Sequence, residues 1–78
     1  MKMQVVGTKR VNYQKDGKDI SGTTLYVEYS DERVEGVCAE NLWISARSDV
    51  SIKDICIGDL IDVGYNKYGR VDSVRKVD

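Results

Sequence analysis

The chain is predicted to form a single small all-β domain of the five-stranded barrel kind. Three observations carry that prediction. Apolar residues recur with a period of two in short runs, glycine and aspartate bound those runs, and the 78 residues hold no proline but many tyrosine and β-branched side chains. A chain of this length has room for one hydrophobic core, so residues 1–78 are taken as one domain.

The first strand is expected over Lys2–Lys9, with Met3, Val5 and Val6 as its apolar points and Gly7 marking a bulge or bend, after which it runs on towards Tyr13. Gln14-Lys15-Asp16-Gly17-Lys18-Asp19 centres on Asp-Gly, the dipeptide that supplies the positive φ of a tight hairpin. Thr23–Ser30 is the second strand. Its Leu25 and Val27 alternate with Thr24, Tyr26 and Glu28, so the aliphatic pair should face the core and Tyr26 the outside. After the polar turn Ser30–Arg33, a third strand starts at Val34–Cys38. Leu42–Ser45 continues it after a bulge at Glu40-Asn41, or forms a short strand of its own.

From Ala46 to Ile57 the alternation stops, and Ile52, Ile55 and Cys56 fall at i, i+3 and i+4 behind serines able to cap. One short helical turn is expected there. Gly58-Asp59 then launches Leu60–Tyr65, where Ile61, Val63 and Tyr65 share the core face. Asn66-Lys67-Tyr68-Gly69 reads as a hairpin loop, and Arg70–Val77 as a polar last strand at a sheet edge. Three strands, a short helical connection and two strands is the order of an oligonucleotide-binding (OB) fold, a five-stranded Greek-key barrel. An SH3-like barrel fits the same order.

Several kinds of chemistry have no residues to perform them. The absence of histidine removes Ser-His and Cys-His nucleophilic pairs, and no glycine loop of the phosphate-cradling kind occurs. Asp59 and Asp62 read as a turn residue and a strand residue, not as a catalytic pair, so no enzyme is expected. Cys38 and Cys56 lie far apart in apolar runs without metal-ligand spacing, and are expected as reduced core thiols; no metal and no cofactor are expected. With no leader-like or membrane-spanning stretch, the chain reads as cytoplasmic and not membrane-bound. Its apolar content leaves room for a homodimer.

Net charge is −1, but it is unevenly spread. Residues 1–19 carry five basic against two acidic side chains, residues 20–62 three against nine, and residues 63–78 four against two. Binding of single-stranded nucleic acid needs exposed rings for base stacking and cations for the backbone. The first hairpin offers Arg10, Tyr13, Lys15 and Lys18, and the last offers Lys67, Tyr68 and Arg70. Tyr26 and Trp43, each opposite to aliphatic neighbours, supply rings on the strands between. Single-stranded DNA or RNA is therefore the expected partner. The rival is a protein-interaction module whose acidic middle and exposed Trp43 meet another protein.

In the Asp16-Gly17-Lys18 hairpin leading into Thr24-Leu25-Tyr26, and in the Gly58-Asp59 to Tyr65 strand turning into Arg70-Val71-Asp72, the chain resembles the small single-stranded-DNA-binding proteins of filamentous phages and related mobile elements. The resemblance spans most of the chain as a pattern of turns and alternation. It implies a dimeric OB-fold protein that coats single strands cooperatively, with Tyr26 and the basic tips in contact. Such proteins tend to be richer in basic residues than this chain, whose sequence pI is near 5.3.

Overall fold

The computed structural model describes residues 1–77. Five strands, β1 (Lys2–Lys15), β2 (Lys18–Tyr29), β3 (Cys38–Ser45), β4 (Leu60–Tyr65) and β5 (Val71–Lys76), form one antiparallel sheet in the order β3-β2-β1-β4-β5. β1 is the spine of this sheet. Its first residues pair with β4, and nearly its whole length pairs with β2, which leaves β3 and β5 at the two edges. Among the described residues these two edges approach each other but exchange no strand pairing.

Alternation decides what is inside. Met3 and Val5 of β1, Leu25 and Val27 of β2, Leu42 and Ile44 of β3, and Ile61 and Val63 of β4 are the buried apolar side chains. Burying each contributes about 1.5–3 kcal/mol. Val50, Ile52, Ile55, Val71 and Val74 pack around them half-buried, so β5 lends only partial cover. Among the described residues no charged or polar residue is buried.

The bend at Gly7 is a bulge: the register steps from Val5↔Val27 to Gly7↔Tyr26, leaving Val6 as the extra, exposed residue. At the hairpin, Asp16 and Gly17 both take positive φ (53° and 76°), the geometry that the Asp-Gly pair serves. β2 starts at Lys18, before the expected Thr23, because this hairpin keeps its ladder unbroken to the tip. β3 runs through Glu40-Asn41 without a bulge. The residues before it, Val34–Val37, are not strand: Asp31 accepts hydrogen bonds from the Arg33 N–H and, through its carbonyl, from Val34, and Gly36 has φ 92°.

The expected helical turn is absent among the described residues. Residues 46–59 instead form isolated turns, closed by Ser48 N–H to Ser45 C=O (3.0 Å), Ile55 N–H to Ile52 C=O (3.1 Å) and Asp59 N–H to Cys56 C=O (3.1 Å). Side chains outbid helix propagation here. Ser48 Oγ accepts from Val50 N–H and Asp59 Oδ2 from Cys56 N–H, satisfying locally the donors a helix would need. Ile52 and Ile55 still reach the core, but Cys56 is exposed and Cys38 only half-buried, contrary to the core thiols expected; both are free. Tyr65 is also corrected. It is the last residue of β4, beyond the strand's last buried side chain Val63 and opposite a bulge at Asp72 of β5, and it is 41% exposed. No helix is long and apolar enough to cross a membrane among the described residues.

Candidate nucleic-acid interface

The pleat and the register together assign one outer face to β1, β2 and β3. On β1 it carries Gly7, Lys9, Val11, Tyr13 and Lys15, and on β2 Lys18, Ile20, Gly22, Thr24 and Tyr26. On β3 it carries Asn41, Trp43 and Ser45. Lys9, Thr24 and Trp43 stand directly across from one another in one row, and Gly7, Tyr26 and Asn41 in the next. Tyr13, Tyr26 and Trp43 are thus brought onto a single surface. Lys18 to Tyr26 along β2 measures roughly 26 Å at the usual strand rise.

Glycine leaves the space that the Trp43 ring occupies. A methyl group on Gly22 would stand 2.8 Å from Cη2 of Trp43, whereas one on Gly7 would meet the Tyr26 ring only at an ordinary 3.5 Å. The indole therefore lies along the sheet over the bare backbone of Gly22, with its other side towards solvent. Trp43 is 43% exposed, Tyr13 48%, and Tyr26 is half-buried.

Lys9, Lys15 and Lys18 share this face, and among the described residues none of them is in an ion pair. Asp19 points to the other face, where its carboxylate accepts a hydrogen bond from Gln14 Nε2 at 3.0 Å. Glu28 lies at the far end, one pleat beyond Tyr26. Lys9 was not among the residues singled out from sequence, although the same alternation read backwards from Tyr13 reaches it. Arg10 is placed apart: it sits opposite Thr23 on the other face and borders a hollow with Val50 and Ile52.

The second group stands on the β4–β5 loop. Asn66 Oδ1 accepts the backbone N–H groups of Tyr68 (2.9 Å) and Arg70 (3.0 Å), and Gly69 takes φ 76° to close the turn. Tyr68 is 75% exposed at the tip, with the Lys67 ammonium 5.2 Å from its ring centroid. This loop faces the free edge of β3 across a groove of about 710 Å³ that Trp43 and Arg70 both line. Trp43 thus links the sheet face to the loop, while Tyr68 and Lys67 lie on the loop and not on the sheet face. In the same groove, burial and then the Glu40 carboxylate push the Tyr65 phenol above its ordinary pKa.

No group of three or more metal-ligating side chains occurs among the described residues. Comparisons with protein-family models, curated proteins and solved structures find no match to this chain.

Proposed function

We propose that this chain binds single-stranded nucleic acid, DNA in the first instance, on the outer face of β1–β3, and that it performs no chemistry on it. The observation that carries the reading is the meeting of Tyr13, Tyr26 and Trp43 with the unpaired Lys9, Lys15 and Lys18 on one surface. Rings lying flat on a sheet stack with bases of any sequence, at about 1–3 kcal/mol per base, and the lysines hold the backbone. The strand order supports an OB-like barrel: a three-strand meander with β4 beside β1 leaves β3 and β5 to meet. A phage or mobile-element origin fits the same picture.

Trp43 is the chain's single tryptophan and lies on this surface, on its β3 edge, so its fluorescence reports directly. Titration with single-stranded oligonucleotide at low salt should quench or shift it. The logarithm of the apparent association constant should then fall linearly with the logarithm of salt concentration, with a slope of about −0.7 per phosphate neutralised. An unchanged Trp43 signal at low salt, with no retardation of the labelled strand, overturns the reading. The protein-interaction reading would then stand, on the exposed Val34 and Val37 of the acidic β2–β3 loop.

A further inference from the structure

We propose that the groove between β3 and the β4–β5 loop is a nucleobase pocket that gives the chain a preference among bases, an inference that rests on the nucleic-acid reading above. The free edge of β3 is the first reason. Ala46 N–H donates to Ser21 C=O at 2.9 Å, so the residues of β3 in step with Ala46 turn their backbone groups to β2. Those out of step, Asn41 and Trp43 among them, turn N–H and C=O into the groove. A strand edge therefore offers donors and acceptors in alternation. That pattern matches the edge of a base, which carries both, and not a phosphate, which only accepts.

The charges agree. Glu40 and Arg70 line the groove with opposite signs and no lysine joins them, whereas the sheet face beside it holds three lysines. A nucleic-acid backbone would follow the lysines, leaving the base to enter the neutral groove. The remaining lining is suited to reading a base. The carbonyl oxygen of Asn66 is already occupied by the Tyr68 and Arg70 amides, which leaves its NH₂ to donate. The Tyr65 hydroxyl, a protonated phenol at neutral pH, is a second donor, and the Arg70 guanidinium a third. Trp43 supplies a ring at the groove's rim.

The test uses the full chain and DNA homopolymers of about 15 residues, oligo-dT, -dC and -dA, with an abasic strand of equal length, all at one salt concentration. Affinities for the three bases should spread by about tenfold or more, within the discrimination that one well-placed set of base contacts gives. Tyr65→Phe removes one hydroxyl from an exposed side chain and should leave the fold intact, as a thermal melt will verify. It should shrink the spread several-fold while affinity for the abasic strand stays unchanged. Equal affinity for all three bases overturns the pocket and leaves the sheet-face reading standing. A spread that survives Tyr65→Phe also overturns it, because the selectivity then arises elsewhere. Failure of every strand to bind overturns the sheet-face reading and the pocket with it.

Discussion

The indole of Trp43 lies over Gly22, one strand across and one row along, so closely that a methyl group on Gly22 would stand 2.8 Å from Cη2 and 2.9 Å from Cζ2 of the ring. The same methyl would stand 2.5 Å from the carbonyl oxygen of Ile44. A ring can swing aside, but a paired backbone cannot without spreading β2 from β3. Gly22→Ala should therefore cost about 1–3 kcal/mol. It should also lift the indole into water, so the check is a denaturant midpoint together with a red shift of the Trp43 emission. Stability within about 0.5 kcal/mol of the parent would refute the packing described.

Gly7 provides the contrast. A methyl group there meets only the Tyr26 ring, at 3.5 Å or more, which is ordinary contact, and no positive φ constrains the position. Gly7→Ala should be neutral, or stabilising by about 0.4–1 kcal/mol through a less flexible unfolded chain. The pair of substitutions, measured side by side, separates a glycine needed for space from one that merely sits at a bulge.

Residue direction governs the salt dependence. Lys9, Lys15 and Lys18 share the face of the three rings, and Arg10 does not. Each lysine-to-alanine change should lower the slope of log affinity against log salt by about 0.7 to 1, whereas Arg10→Ala should leave it unchanged. A loss of slope in Arg10→Ala equal to that of the lysines would place the backbone path elsewhere.

That Arg10 faces away was within reach of the sequence, since residues three apart on a strand point to opposite sides and Tyr13 is three along. The core pairs Leu25/Val27 and Ile61/Val63, and the outward Tyr26 and Trp43, followed from the same alternation, because a period of two needs only local information. Tyr65 did not. It ends β4, two residues beyond the strand's last buried side chain Val63, and the strand opposite it carries an extra residue, Asp72, that nothing in the alternation of β4 announces. The stretch 46–59 misled for a different reason. Its isoleucines do reach the core at helical spacing, but Ser48 and Asp59 bind backbone N–H groups and hold separate turns. The groove beside β3 was not legible at all, since it arises where two edges far apart in sequence come near each other without pairing.

The β4–β5 loop hangs on one side chain. Asn66 Oδ1 takes two backbone N–H groups, and Asn66 N–H returns a hydrogen bond to Arg70 C=O at 2.8 Å. Asn66→Ala should cost about 1 kcal/mol, less than two full hydrogen bonds because water reaches this loop. Amide exchange at Tyr68 and Arg70 should quicken while that of Leu25 and Val27 keeps to the global stability. Exchange at Tyr68 and Arg70 unchanged from the parent would show that Gly69 and the loop's backbone hydrogen bonds hold the turn without the side chain.

The Glu40 carboxylate acts on two phenols. Burial is the first cause that raises the pKa of Tyr29 and of Tyr65, and the Glu40 carboxylate is the second for both. An absorbance titration between about pH 9 and 12 should therefore show late phenol ionisation from Tyr29 and Tyr65, above the ordinary tyrosine value. A phenol whose pKa is higher in the folded chain than in the unfolded one favours folding fully below the unfolded value, near 10, and that contribution is lost as pH rises through the folded value. Glu40→Gln keeps the burial and removes the charge, so both late transitions should move down without reaching the ordinary value. Alkaline unfolding should shift in step, with the variant losing less stability than the parent over the same pH interval. If the two late tyrosines titrate identically in parent and variant, the carboxylate does not face them, and burial alone accounts for their shift.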